Sequence, residues 1–164
     1  MTDGSPQAGR LADLYRIHAD DALRLAFLLT GDPWLAQDIV QEAFVKLAGR
    51  LVHLRKRGAF GAYLRRTIVN LARMQFRKRR RERASIERHA GLRQPVSPEP
   101  DPVESETLRT SLMRLSERQR AAVVLRFYED LSDSQTAEIL RCAPGTVRSL
   151  VTRAMETLRQ EVER

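Results

Sequence analysis

Leu131 to Arg159 reads LSDSQTAEILRCAPGTVRSLVTRAMETLR, two short apolar-periodic segments parted by a tight turn. In the second segment Val147, Leu150, Val151, Ala154 and Leu158 recur at spacings of three and four, so they share one face of a helix. Thr146, Arg148, Ser149, Thr152 and Arg153 fall on the other face, toward the helix N-terminus. Guanidinium and hydroxyl groups placed there pair with guanine edges and phosphate oxygens. On an isolated amphipathic helix such a face is ordinary solvated surface. Behind a short capped helix and a tight turn, it reads as the recognition helix of a helix-turn-helix.

A second basic element, FRKRRRER from Phe76 to Arg83, lies well upstream. Arg77, Lys78 and the arginines that follow suit the neutralisation of phosphates, a salt-dependent and sequence-blind affinity that acidic lipids would also satisfy. The stretch before it, FGAYLRRTIVNLAR, narrows the choice. Phe60 and Tyr63 offer flat rings, while Arg66, Asn70 and Arg73 offer donors, the combination an unstacked base requires. Phe60 and Tyr63 are equally well read as core residues. A third element, DIVQEAF, puts Asp38, Gln41 and Glu42 at i, i+3 and i+4 on one helix face. Such a patch is usually only solvated; here it also suits a basic protein partner.

The chain offers little for catalysis. Cys142 is the single cysteine, and His18, His53 and His89 have no partner at metal-ligand spacing, so no metal or other cofactor is expected. No paired carboxylates, nucleophile set or glycine-rich phosphate loop stands out, and the expectation is a protein that is not an enzyme. No apolar run is long enough to span a bilayer, and MTDGSPQAGR lacks the order of a signal peptide, so a cytoplasmic location without membrane insertion is expected. The net charge is +8, with Arg far exceeding Lys, which favours an anionic partner. Its distribution is uneven: residues 52–93 carry 14 Lys/Arg against 2 Asp/Glu, whereas residues 1–51 carry 5 against 7.

These groups need elements to hold them, and few aromatics with abundant Leu, Ala and Val favour an all-α fold. Residues 1–10 are expected to be disordered. A helix is expected from about Leu11 to Thr30, ended by Gly31, with Asp32 capping a second helix that starts at Pro33 and runs to about Leu51. After a short basic loop, Ala59 to about Ala90 reads as one long helix. Pro95, Pro98, Pro100 and Pro102 with interleaved acids make residues 91–103 an extended linker. It divides the chain into domains at 11–90 and 104–164. In the second, helices are expected over Glu104–Leu115, from Ser116 to about Tyr128, over Asp133–Leu140 and from Pro144 onward, with Ser116/Gln119 and Ser132/Gln135 at capping-box spacing.

The order DIVQEAF, AYLRRTIVNLAR with a basic tail, a linker, then LSDSQTAEIL and GTVRS resembles an extracytoplasmic-function (ECF) RNA polymerase sigma factor of the sigma-70 superfamily. Within that family it is most similar to the short actinobacterial sigma-E-like type. The resemblance implies a sigma-2-like helical bundle and a sigma-4-like helix-turn-helix joined by a flexible linker. It implies that Asp38, Gln41 and Glu42 dock on the clamp helices of core RNA polymerase, with the flap as a further contact. Arg55, Lys56, Phe60, Tyr63, Arg66, Asn70, Arg73, Arg77 and Lys78 would open and hold the minus-ten promoter element. Thr146, Arg148, Ser149, Thr152 and Arg153 would read the minus-thirty-five element. An anti-sigma partner is a further expectation by analogy of fold.

The sequence departs from the family pattern in three places. Leu150 stands where many relatives carry Arg, and is expected to pack. Tyr63 stands where Trp is common, and Ala143 and Pro144 open the recognition helix without a side-chain cap. Two other readings compete. A stand-alone helix-turn-helix regulator would dimerise through its first domain and bind a palindromic operator. A helical nuclease would need clustered acidic metal ligands, which the first domain spreads over different faces.

Overall fold

In a computed structural model the described residues are 6–54, 56, 58–86 and 103–162. All their regular structure is helical, with no strand among them. α1 spans Pro6–Thr30, α2 Pro33–Ala48, α3 Ala59–Ile86, α4 Val103–Arg114, α5 Glu117–Val123, α6 Asp133–Leu140 and α7 Pro144–Val162, with a π-helical turn at Val124–Tyr128 after α5. α1 thus begins five residues ahead of the expected Leu11, and residues 6–10, expected to be disordered, are helical. Proline is tolerated in a first helical turn, where its missing N–H has no intrahelical acceptor to serve. The expected linker, apart from Val103 at the head of α4, lies outside the described residues.

α1, α2 and α3 pack on one another around Leu25, Leu29, Ile39, Phe44, Leu64 and Ile68, all buried. Gly31 ends α1 with φ +65°, and its N–H donates to the Phe27 carbonyl at 2.7 Å. The carboxylate of Asp32 then does two things. Oδ1 accepts from the N–H groups of Trp34 and Leu35 at 3.0 and 3.1 Å, capping α2. Oδ2 accepts from Arg79 Nη2 at 3.1 Å, tying the basic half of α3 to the α1–α2 corner. The loop into α3 is held by Arg10, whose guanidinium donates to the Leu54 carbonyl at 2.9 Å.

In the second group α5 and α6 each pack against α7. Both expected capping boxes form: Ser116 with Gln119, and Ser132 with Gln135. The helix expected from Ser116 to Tyr128 is α-helical only to Val123. Its last turn widens to a π-turn, where the Glu129 N–H reaches the Val124 carbonyl at 3.0 Å, and Asp130 follows at φ 52°. The extra residue swings Phe127 and Tyr128 outward, 60% and 43% exposed. Arg126 stays inside, donating to the Leu131 carbonyl and pairing with Asp133 at 2.7 Å, so it braces the start of α6. Arg141 closes α6 in the left-handed conformation, φ 53°.

The two groups share one continuous core, joined at the C-terminal end of α1. There Arg120, only 6% exposed, donates to the carbonyls of Leu29 and Leu112 at 2.8 Å, of Leu115 at 3.0 Å and of Met113 at a long 3.5 Å. Its guanidinium also stands 5.6 Å from the centroid of the Phe76 ring of α3. Burial holds its pKa below the ordinary arginine value, with Glu117 opposing the shift. Met113 packs so closely over Gly31 that a Cβ there would fall 2.5 Å from the Met113 sulfur. Arg120→Met, which keeps the bulk and removes the donors, is expected to cost about 3–5 kcal/mol, because buried carbonyls of two helix ends lose their partner. The urea midpoint of the purified protein measures it; a shift below about 1 kcal/mol would mean that water replaces the guanidinium.

Candidate nucleic-acid and polymerase interface

Three surfaces were expected to carry function, and each is placed by a helix. On α2 the buried face is Leu35, Ile39, Val40, Ala43, Phe44 and Leu47. Asp38, Gln41 and Glu42 lie on the opposite side and are exposed, with Glu42 paired to Lys46 at 3.2 Å. The structure adds two residues to this face. Trp34 and Val45, at −4 from Asp38 and +4 from Gln41, are 63% and 73% exposed, so the acidic patch is bracketed by apolar side chains. Both were legible in the sequence as bulky apolar residues out of register with the Leu35, Ile39, Ala43, Leu47 stripe. A face that combines an exposed Trp with carboxylates suits a protein partner better than solvent alone.

On α3, Tyr63, Arg66, Asn70, Arg73 and Arg77 recur at three and four residues and form one stripe, about 21 Å long at 1.5 Å per residue. Tyr63 is 46% exposed, Arg66 and Arg77 are exposed, and Asn70 and Arg73 are half-buried. Lys78 is exposed on the flank of the stripe, where it approaches Glu82 at 4.0 Å. Lys56 is exposed in the preceding loop; Arg55 lies outside the described residues.

Phe60 does not join this stripe. It is 2% exposed and stacks in the core, 5.8 Å from the Phe44 ring and 5.3 Å from His18, with Tyr15 4.9 Å beyond Phe44. The expectation that it contacts the minus-ten element is therefore corrected. Phe60 and Tyr63 are three residues apart, and the aromatic spacing alone did not say which ring faced inward. One side of the stripe faces the second helical group. A cavity of about 330 Å³ separates Tyr63 and Arg66 from Leu131, Gln135 and Glu138, and the Arg65–Glu129 pair closes beside it at 2.7 Å. Tyr63, 46% exposed, stays accessible at the edge of this cavity, so α6 narrows the approach to the ring without covering it.

On α7, Val147 and Ala154 are fully buried, and Leu150 packs against the core as expected. Arg148, Ser149, Thr152 and Arg153 are exposed, and Thr146 is half-buried at the first turn. The hydroxyls of Ser149 and Thr152 donate to the carbonyls of Gly145 and Arg148 one turn back, at 3.1 and 3.0 Å, leaving their lone pairs outward. Arg148 approaches Asp133 at 3.6 Å, which orients it across the turn of the helix-turn-helix. This face points to solvent.

Among the described residues no group of His, Cys, Asp or Glu is arranged to hold a metal, and no helix is long and apolar enough to cross a membrane. The two helical groups coincide with two matched families, sigma-70 region 2 over residues 14–82 and sigma-70 region 4 over residues 105–158. The chain belongs to the sigma-70 family of RNA polymerase sigma factors. It is 36% identical to the RNA polymerase sigma-E factor of Streptomyces coelicolor, over 90% of this chain and 82% of that protein. It is 27% identical to the ECF RNA polymerase sigma factor SigW of Bacillus subtilis, over 92% and 88%. Among solved structures it is similar to the sigma factor RpoE of Bartonella quintana, determined in complex with the anti-sigma factor NepR. That match has a TM-score of 0.76 and 25% identity, and covers 93% of this chain and 96% of that one.

The chain is thus an ECF sigma factor that directs RNA polymerase to specific promoters. A stand-alone helix-turn-helix regulator is not favoured, since the region 2 match falls on the helices such a regulator would use to dimerise.

The different fates of Phe60 and Tyr63 are testable. Phe60→Ala is expected to destabilise the protein by about 3–5 kcal/mol, a core truncation, whereas Tyr63→Ala changes stability by roughly 0.5 kcal/mol or less. Equal losses in denaturant unfolding would put both rings in the core and remove Tyr63 as a stacking surface.

Proposed function

We propose that the factor grips a promoter at two points while docked on core polymerase, acting without catalysis of its own and in the cytoplasm. Residues 11–90 form the unit that binds polymerase and the minus-ten element, residues 91–103 the linker, and residues 104–164 the unit that reads the minus-thirty-five element. Asp38, Gln41 and Glu42, with Trp34 and Val45 at the edges, meet the clamp helices. Tyr63 stacks on an unpaired non-template base, Arg66 and Asn70 serve its edge and sugar-phosphate, and Arg73, Arg77, Lys78 and Lys56 follow the strand. Thr146, Arg148, Ser149, Thr152 and Arg153 enter the major groove of the upstream element.

The observation that carries this reading is the α3 stripe: one half-exposed ring continued by Arg66, Asn70, Arg73 and Arg77 on the same helix face, beside a separate recognition face on α7. A repressor has no use for a base-stacking ring backed by a strand-tracking row. An anti-sigma partner is part of the same proposal, supported by the Bartonella quintana structure, in which the similar sigma factor is held by NepR.

The deciding experiment mixes the full chain with core polymerase and a two-element promoter. A stable complex and specific initiation are expected; tight dimeric operator binding without a polymerase complex would overturn the reading. Asp38→Ala with Glu42→Ala is expected to abolish polymerase binding while shifting stability by no more than about 0.5 kcal/mol, since both are exposed. Arg148→Ala should weaken discrimination at the upstream element by about 1–3 kcal/mol in competition binding. If Arg148→Ala and Ser149→Ala together leave promoter preference unchanged, the recognition face lies elsewhere.

A further inference from the structure

Where α3 passes α5 and the turn after α6, arginines from the two helical groups line one cavity, and a further one follows Leu140, which lines it too. Arg73 and Arg77 come from α3, Arg118 from α5 and Arg141 from the left-handed cap of α6. Arg73 and Arg77 line a cavity of about 230 Å³ with Arg118, Leu140, Arg80 and Glu117. Glu117 is already engaged, its Oε1 accepting from Arg80 Nη1 at 3.0 Å. Arg73 makes only a long 3.5 Å hydrogen bond to the Leu140 carbonyl. Among the described residues no carboxylate pairs with Arg77, Arg118 or Arg141. Burial first, and then the charges of Arg77, Arg118 and Arg141, hold the Arg73 guanidinium below its ordinary value.

Like charges gathered around a partly desolvated cavity repel one another unless an anion sits among them. Guanidinium forks match phosphate oxygens bidentately and are weakly hydrated, so arginine rather than lysine at every position suits a phosphate. The cavity has room for roughly seven or eight waters at about 30 Å³ each, hence for a short phosphate chain. We propose that this cluster is a binding site for a small phosphate-bearing polyanion, gripped between the two helical groups and complete only while they are packed together. By linkage, an anion bound there stabilises the packed arrangement. The anion also occupies Arg73 and Arg77 of the stripe and keeps α6 beside Tyr63, so it opposes promoter engagement. The site stands on the cluster's geometry; only this last consequence rests on the reading of the stripe given above.

The probe is sodium tripolyphosphate, added to the full chain at constant ionic strength and followed by calorimetry and thermal unfolding. Saturable binding with a rise in melting temperature is expected. Arg118→Gln combined with Arg141→Asn, the latter suited to a left-handed position, should weaken binding by roughly tenfold or more, the loss of charge-assisted hydrogen bonds. Arg24→Gln with Arg50→Gln, exposed arginines elsewhere, should not. Circular dichroism checks that the double variant folds, and if it does not, Arg118→Gln alone serves as the test. Absence of tripolyphosphate binding, or equal loss in the two double variants, overturns the proposal. A short non-promoter duplex distinguishes a free phosphate chain from backbone phosphates. Its affinity should be unaffected by the Arg118 and Arg141 substitutions, and a loss of duplex binding without tripolyphosphate binding would assign the cluster to DNA instead. Promoter opening by the polymerase complex, inhibited by tripolyphosphate in the parent but not in the Arg118/Arg141 variant, reads the functional consequence separately from the site.

Discussion

A helix ends in carbonyls that have no partner inside it, and in this protein two such ends, those of α1 and α4, are buried side by side. Arg120 supplies donors to both. Its planar fork reaches Leu29 on α1 and Leu112, Met113 and Leu115 around the end of α4, while Phe76 of α3 lies against it. A cation at the negative ends of two helix dipoles is stabilised without any carboxylate partner. This is why a charge 6% exposed is tolerated at the centre of the assembly. Remaining polar contacts at the same corner reinforce it: Arg109 donates to the Gly31 carbonyl at 3.4 Å, and Glu106, hydrogen-bonded to Arg109, is held below its ordinary carboxylate range. Gly31 cannot be exchanged without loss there, since it needs both a positive φ and contact with Met113.

Fixing the two groups at the C-terminal end of α1 decides which functional faces are open. The α7 face with Arg148 and Arg153 points outward, whereas the α3 stripe, with Tyr63, Arg66 and Arg77 exposed, runs beside α6. The bonds that cross the stripe itself are few: Arg65–Glu129 at 2.7 Å, Arg80–Glu117 at 3.0 Å and the long Arg73–Leu140 contact. Ion pairs open to solvent contribute about 0–1 kcal/mol each, and Arg80 is well exposed. The costly contact is Arg120, which lies at the C-terminal end of α1 and against Phe76, away from Tyr63. The arrangement is therefore held firmly at one end and weakly beside the α3 stripe.

Much of this was legible in the residues because local chemistry announces itself. Asp32 before Pro33, and Ser–x–x–Gln at 116 and 132, specify helix starts through side-chain bonds to neighbours a few positions away, and all three form. Leu150 packs because it falls on the Val147, Ala154 face. What stayed hidden depends on partners distant in sequence. Whether Phe60 or Tyr63 faced the core was decided by Phe44 and His18, on other helices. The π-turn at Val124 leaves no propensity signal, since each of its residues is compatible with an α-helix. Arg120 looked like one more surface charge in ERQRAAVV, because its four acceptors belong to helix ends whose meeting no periodicity reveals. Trp34 and Val45 are readable as apolar residues off the Leu35, Ile39, Ala43 and Leu47 stripe, which is the signal that they flank the charged patch.

The same side chain thus plays opposite parts within a few residues of α5. Arg120 is buried and content because backbone oxygens converge on it. Arg118, two residues earlier and on the outer side of the helix, faces Arg73 and Arg77 with no acceptor of its own. Composition and net charge treat them alike. What separates them is the supply of oxygen atoms: the protein provides acceptors where it needs a permanent joint and withholds them where an external anion has to supply them. The chain stays folded through the first class of arginine and offers the second to an anion. Substituting members of the two classes should therefore divide cleanly, with stability following Arg120 and anion affinity following Arg118, because no hydrogen bond is shared between them.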